Sequence, residues 1–170
     1  LIGVEGVVGS DHDDTLVGSD SGDSFHGRGG NDLISGAGGF DWVHHWDATG
    51  PVSVDLAAGL ASGDGIGTDT LSGIDGVAGG AQGDSLAGDD NANNLDGFSG
   101  DDTLAGAGGN DTLRGGAGND SLIGGAGFDM AAYEEAGAGV SANLATGSAS
   151  GGAGTDTLQD IEGASGSAFA

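Results

Sequence analysis

Side chains with a coordinating oxygen recur every nine residues in two runs: Asp14, Asp23, Asp32 and Asp41, then Asp84, Asn93, Asp102, Asp111, Asp120 and Asp129. Asp11, Asp20 and Asp90 add carboxylates three residues before three of them. The chain has no cysteine, so neither thiolate ligation nor a disulfide framework is available. Carboxylates in a glycine-rich backbone, whose carbonyls can be aimed into one concavity, suit a hard cation. Calcium takes six to eight such oxygens at roughly 2.3 to 2.6 Å.

The elements carrying these acids are nine residues long. From Gly9 to His44 the chain reads GSDHDDTLV, GSDSGDSFH, GRGGNDLIS and GAGGFDWVH. From Gly79 to Ala132 it reads GGAQGDSLA, GDDNANNLD, GFSGDDTLA, GAGGNDTLR, GGAGNDSLI and GGAGFDMAA. Position one is always glycine, position six is the candidate ligand, and position eight is Leu16, Phe25, Ile34, Val43, Leu86, Leu95, Leu104, Leu113, Leu122 or Ala131. The phase predicts a six-residue turn and a three-residue strand, with position eight facing inward and positions seven and nine outward. Two nonamers form one coil, and coils stacked at about 4.8 Å form a parallel solenoid. Alternate turns then lie on the same side. The acid of unit n should share an ion with that of unit n+2: Asp14 with Asp32, Asp23 with Asp41, Asp84 with Asp102, Asn93 with Asp111, Asp102 with Asp120, and Asp111 with Asp129.

Composition points the same way. The 170 residues include 41 glycines and 27 acids against two basic residues, Arg28 and Arg114, for a formal net charge of -25. Such a chain cannot be built on one compact apolar core, and its charge disfavours nucleic acid and anionic membrane partners. No apolar run approaches the roughly 18 residues that span a bilayer. Charge and glycine alone would predict disorder, but a disordered chain has no reason to hold three positions in phase over both runs. About six calcium ions would contribute +12 and leave roughly -13.

A longer period overlies the nonamers. Leu1 to Leu16 matches Leu71 to Leu86, and the match recurs from Leu158. The stretch Pro51 to Asp75 aligns with Gly139 to Glu162; each has an alternating strand (Val52, Val54, Leu56; Val140, Ala142, Leu144) and then TDTL. Asp69 and Asp156, at those strand entries, are further candidate ligands. The array reads as a piece of a longer chain, truncated at both ends, and its start has neither an initiator methionine nor a basic region.

The nonamers, GGAGNDSLI from Gly115 most closely, resemble the GGxGxDxUx motif of RTX (repeats in toxin) proteins, a calcium-binding β-helix repeat. The resemblance implies an all-β, right-handed parallel β-roll or β-helix solenoid, with calcium in the turns, in a protein exported by type I secretion that folds on meeting extracellular calcium. It also implies that carbonyls complete each site, from positions two and four of one unit and one and three of the unit two further on. In the first block these are Ser10, His12, Ser19 and Ser21 against Gly27, Gly29, Gly36 and Gly38. In the second they are Gly80, Gln82, Asp89, Asn91, Phe98, Gly100, Ala107 and Gly109 against Gly97, Ser99, Gly106, Gly108, Gly115, Ala117, Gly124 and Ala126. The first two units of each block depart from the motif, with His12, Ser21, Gln82 and Asn91 where position four should be glycine. Asn93 lacks the charge of an acid, so its site is expected to be the weakest.

Other chemistries fit less well. The cluster Trp42, His44, His45, Trp46 and Asp47 suggests zinc, but its counterpart Met130, Ala132, Tyr133, Glu134 and Glu135 has no histidine. Aromatic capping of the last coil, with Phe40 and Phe128 in the same role, is the expectation. Adjacent Glu134 and Glu135 point to opposite faces if extended, unlike a glycosidase pair, and no nucleophile elbow is present, so an enzyme is not expected. Positions seven and nine are too mixed to bind ice. Cell-surface glycans are the alternative partner, stacking on Trp42, Trp46 and Tyr133.

The expected organisation is the end of a preceding spacer at 1–8, a block of four nonamers at 9–44, an irregular strand-rich spacer and cap at 45–78, a block of six nonamers at 79–132, and a second, truncated spacer at 133–170. The partners expected are calcium, at about six or more sites, and neighbouring repeats of the parent chain.

Overall fold

A computed structural model describes residues 5–166; the outermost residues of the expected segments 1–8 and 133–170 lie outside them. The described residues are all-β. Positions seven to nine of every nonamer form or begin a strand. In the first block, after β1 (Gly6–Val8), these are β2 (Thr15–Val17), β3 (Ser24–His26), β4 (Leu33–Ser35) and β5 (Trp42–His44). The stretch between the blocks adds β6 (Val52–Asp55), β7 (Leu60–Gly63), β8 (Gly67–Ser72) and β9 (Gly76–Ala78). The second block holds β10 (Ser85–Ala87), β11 (Asn94–Asp96), β12 (Thr103–Gly108), β13 (Thr112–Arg114), β14 (Ser121–Ala126) and β15 (Met130–Ala132). β16 (Val140–Asn143), β17 (Ser148–Gly151), β18 (Gly154–Gln159) and β19 (Gly163–Ser165) follow.

Odd and even units go to different sheets because each turn reverses the chain. One sheet has eight strands in the order β1-β3-β5-β9-β11-β13-β15-β19; the other has eleven, in the order β16-β17-β18-β14-β12-β10-β6-β7-β8-β4-β2. Within the blocks the ladders are parallel and pair position eight with position eight one coil on. Phe25 pairs with Val43, Leu86 with Leu104, and Leu95 with Leu113. The architecture is a parallel β-roll solenoid.

The core is the column of position-eight side chains between the sheets. All are buried, nine of them at no more than 1 % exposure and Leu16, on an edge strand, at 8 %. Burying one such aliphatic side chain contributes about 1.5–3 kcal/mol, but a coil supplies only two. Stability must therefore come largely from coil-to-coil contacts.

The stretch between the blocks does not end the solenoid. Val77 of β9 stacks between Val43 and Leu95, so the eight-stranded sheet passes from one block to the next without interruption. On the other face β6, β7 and β8 form an antiparallel meander, with β8 parallel to β4 and β6 parallel to β10. Val52, Val54, Ala61, Ile66, Leu71 and Ile74 extend the core through it. Since the coil stack continues there, the aromatic side chains expected to cover an open end do not do so. Phe40 and Phe128 are exposed on the outer surface, and Tyr133 is buried.

Candidate metal centre

Position six forms a ladder along each side of the solenoid. The backbone N–H of each acid donates to Oδ1 of the acid one coil on: Asp14 to Asp32 at 2.9 Å, Asp23 to Asp41 at 2.7 Å, Asp84 to Asp102 at 2.6 Å, Asn93 to Asp111 at 2.8 Å, Asp102 to Asp120 at 2.9 Å, and Asp111 to Asp129 at 2.8 Å. These hydrogen bonds join the same n, n+2 partners that the repeat predicts to share an ion. The ladder continues beyond the blocks, from the Asp32 N–H to Asp69 at 2.9 Å and from the Asp120 N–H to Asp156 at 3.1 Å.

The second side-chain oxygen exists in two situations. In the first two units of each block the position-two N–H of the same unit caps it, Ser10 to Asp14, Ser19 to Asp23 and Gly80 to Asp84, all at 2.6 Å; in Asn93, whose amide has a single oxygen, the Asp89 N–H caps that oxygen at 2.7 Å. In the other six units, Oδ2 of Asp32, Asp41, Asp102, Asp111, Asp120 and Asp129 is buried without a hydrogen-bond partner. The difference follows the backbone. Position two has positive φ in all six of these units, at 72° for Arg28, 73° for Ala37, 66° for Phe98, 74° for Ala107, 98° for Gly116 and 105° for Gly125, and in none of the capped four. With the turn in this form no position-two N–H reaches the carboxylate. Four of those residues carry a β-carbon, so the form costs roughly 1–2 kcal/mol at each.

Glycine at position one is required by close approach. A β-carbon on Gly9 would lie 2.6 Å from the Gly27 carbonyl oxygen and 2.8 Å from Asp14 Oδ2; on Gly18 it would lie 2.5 Å from the Gly36 oxygen and 2.7 Å from Asp23 Oδ2. The same space beside Gly97 is bounded by the Asp102 carboxylate and the Gly115 carbonyl, and beside Gly106 by the Asp111 carboxylate and the Gly124 carbonyl. Each of these four cradles is thus walled by the carboxylate of its own unit and a carbonyl of the next coil, the oxygen donors a calcium ion takes.

Position four explains the departure from the motif. Gly30, Gly39, Gly100 and Gly109 have φ of 101–119°, and a β-carbon on them would strike the backbone of His12, Ser21, Gln82 and Asn91. Those four are the residues on which the next coil's glycine rests, and their own φ values are negative.

The other expected ligands are placed as follows. The carbonyls of Ser19, Asp89 and Phe98 accept the N–H groups of Gly38, Gly108 and Ala117, and those of Ala117 and Ala126 accept Gly100 and Gly109; each keeps a second lone pair. Asp11, Asp20 and Asp90 are exposed, with their Cα atoms 3.4–3.7 Å from the space beside Gly29, Gly38 and Gly108. Asp11 faces Arg28 at 3.6 Å. These three acids stand at the rim, outside the buried ladder.

Among the described residues, the buried position-six acids have no arginine partner. Arg28 lies beside Asp11 and Asp47, and Arg114 pairs with Asp96 at 3.0 Å and approaches Glu134 at 3.8 Å. Burial pushes the Asp102 carboxyl up to about 7 and those of Asp69, Asp111 and Asp120 up to about 6, with neighbouring carboxylates adding to the effect. A buried carboxylate without a partner costs several kcal/mol. Among the described residues no three ligating side chains converge, so a cation here must draw its shell from two carboxylates and several carbonyls.

Two acids were missed by sequence reasoning. Asp75 and Glu162 occupy the position-six place before β9 and β19, and accept the N–H groups of Asp41 at 3.0 Å and Asp129 at 2.9 Å. The signal was present in the longer period, where Glu5, Asp75 and Glu162 fall at equivalent places.

The histidine and tryptophan cluster is assembled differently. His26 Nε2 lies 2.6 Å from Asp47 Oδ1, while Trp42, His44 and Trp46 form a row, with ring centroids 5.8 Å and then 4.5 Å apart. His45 is buried, which pushes its imidazole down to about 4. Tyr133, expected to stack on sugars, is instead buried, near Asp156.

A search of curated proteins finds no match. Among solved structures, the extracellular lipase LipA from Serratia marcescens is similar over 92% of this chain and 38% of the lipase, at 19% identity and a TM-score of 0.31. The chain thus spans well under half of that lipase. The family model described as the RTX calcium-binding nonapeptide repeat (4 copies) matches residues 8–43, 64–113 and 96–131. With that match over more than half of its length, the chain belongs to the RTX calcium-binding nonapeptide repeat family.

Proposed function

We propose that this chain is a non-enzymatic module in which calcium binding and folding are one equilibrium, within a larger bacterial protein that reaches the cell exterior by type I secretion. The observation that carries this reading is the set of six buried carboxylate oxygens that no donor of the chain satisfies. When bound, calcium supplies the positive charge and the oxygen coordination that such groups need. The chain's own part is to aim the carboxylates through the position-six ladder and to open each cradle with glycine at position one. Unfolded, the acids are solvated and far apart. Folded, they are stacked and desolvated, so ions that bind only the folded form pull the equilibrium toward it. In a low-calcium cytosol the chain stays extended and export-competent.

The module comprises the blocks 9–44 and 79–132, with six ions in the n, n+2 pairs, and the spacers that continue its sheets. Calorimetric titration of the chain with calcium tests this reading. Saturable, multi-site binding that is lost in a chain with the position-six acids replaced supports it, and absence of binding overturns it.

A second reading, adhesion to cell-surface glycans, is favoured by one observation. The row Phe40, Trp42, His44 and Trp46 lies on the outer face, with Trp46 54 % exposed, and sugar rings stack on such surfaces. A glycan array probed with the chain and with Trp46→Ala distinguishes a binding surface from a structural row.

A further inference from the structure

The position-six ladder of the eight-stranded sheet does not stop where the nonamers stop. At the end of the first block, the Asp41 N–H donates to Asp75 at 3.0 Å; at the end of the second, the Asp129 N–H donates to Glu162 at 2.9 Å. Both bonds repeat the geometry of the in-block pairs, although the acceptors lie in spacers that lack the glycine-rich turn. The donors' own Oδ2 atoms are buried without partners, in residues that are 1 % and 0 % exposed.

The spacers also reproduce the carbonyl wall. Inside a block, the cradle beside a position-one glycine is closed by the position-one carbonyl of the next coil. Beside Gly36 it is closed by the Gly73 carbonyl together with the Asp41 carboxylate; beside Gly124, by the Asp160 carbonyl together with the Asp129 carboxylate. Gly73 has φ of 61° and Asp160 of 50°. At Asp160 the left-handed conformation costs roughly 1–2 kcal/mol for a residue with a β-carbon. It is also what turns the spacer backbone at the same place as Gly73, and a residue that persists in such a conformation calls for a compensating role. Two spacers that share the longer period but differ at the left-handed residue thus keep one arrangement: an acid two residues after a left-handed residue whose carbonyl faces a buried, unpartnered carboxylate.

We infer that each spacer completes one further calcium site on this sheet, with Asp75 and Asp41 as carboxylate ligands and the Gly73 carbonyl at one junction, and Glu162 and Asp129 with the Asp160 carbonyl at the other. The inference rests on the calcium-binding reading and extends it from the nonamers to the junctions. Its consequence is mechanical. The ion at each junction ties the last coil of a block to the spacer, so the array closes as one calcium-bound rod and not as separately folded blocks.

The test uses the full chain and the double variant Asp75→Asn, Glu162→Gln, which keeps an oxygen for each backbone N–H and removes only the charge. Calcium is counted by native mass spectrometry across a titration, and folding is followed by circular dichroism. The expected result is a variant that folds in millimolar calcium with two fewer tightly held ions and loses the single cooperative transition. An unchanged ion count with an unchanged transition overturns the inference while leaving the nonamer sites intact. Absence of calcium binding in the unsubstituted chain overturns the nonamer reading itself. If the double variant fails to fold, Asp75→Asn alone gives the same comparison at one junction, with a loss of one ion expected.

Discussion

The backbone N–H of Asp102 donates to Oδ1 of Asp120 one coil away at 2.9 Å, while Oδ2 of Asp120 is buried without a partner. One carboxylate therefore does two jobs. Its first oxygen fixes the spacing of adjacent turns, and its second is presented to a cradle that holds no donor.

Asp120 belongs to two rungs, since its own N–H donates to Asp156. Asp120→Ala is expected to remove the ion shared with Asp102, weaken the remaining calcium affinity about tenfold, roughly 1.4 kcal/mol, and lower the cooperativity of binding. Calorimetry checks all three quantities. Unchanged stoichiometry counts against the n, n+2 pairing.

The glycines at position four are expected to be needed only where a coil rests on the one before. Gly109→Ala would place a β-carbon 2.5 Å from the Asn91 carbonyl oxygen, at φ of 101°. It should destabilise the calcium-loaded fold by about 3 kcal/mol or more. Gln82→Ala, at the same position of a leading unit, should stay within about 0.5 kcal/mol. Thermal denaturation of both variants in saturating calcium makes the comparison.

In the core, Leu113 is fully buried and Leu33, at an outward position seven, is 48 % exposed. Leu113→Ala is expected to cost about 2–5 kcal/mol and Leu33→Ala under about 0.5 kcal/mol. Denaturant titration in calcium gives both values.

The pH dependence should change sign with calcium. The folded-state carboxyls of Asp102 at about 7, and of Asp111 and Asp120 at about 6, lie above the ordinary 3.8. Folding without metal therefore takes up protons, and stability falls as pH rises from about 4 through 7. In chelator, β-structure should accordingly be greater at pH 5 than at pH 8. With calcium present, protons compete for the same oxygens, so calcium affinity should fall as pH drops below about 7. Circular dichroism in chelator and calcium titrations at pH 8 and 6 test the two signs separately.

Much of this was legible in the sequence because one residue type at each of three positions decides a whole coil. Glycine at position one, an acid at six and an apolar residue at eight predict the strands of all ten nonamers and their pairing. Asp75 and Glu162 were not legible from the nonamer frame, because the residues before them, Leu71 to Ile74 and Leu158 to Ile161, run from a strand and contain no GGxG. The two situations of the second carboxylate oxygen depend on φ at position two, where Arg28 and Phe98 carry side chains that give no sign of a left-handed backbone. Tyr133 was read as a surface aromatic because nothing in its local sequence reveals that the coil stack continues over it.

The central claim, that calcium binding and folding are one equilibrium, is tested most directly by circular dichroism and thermal denaturation of the chain in chelator and in millimolar calcium. The account expects a largely unfolded spectrum with no thermal transition in chelator at pH 7.5, and β-structure with a cooperative melt once calcium is added. The same spectrum and the same midpoint in both conditions would contradict it.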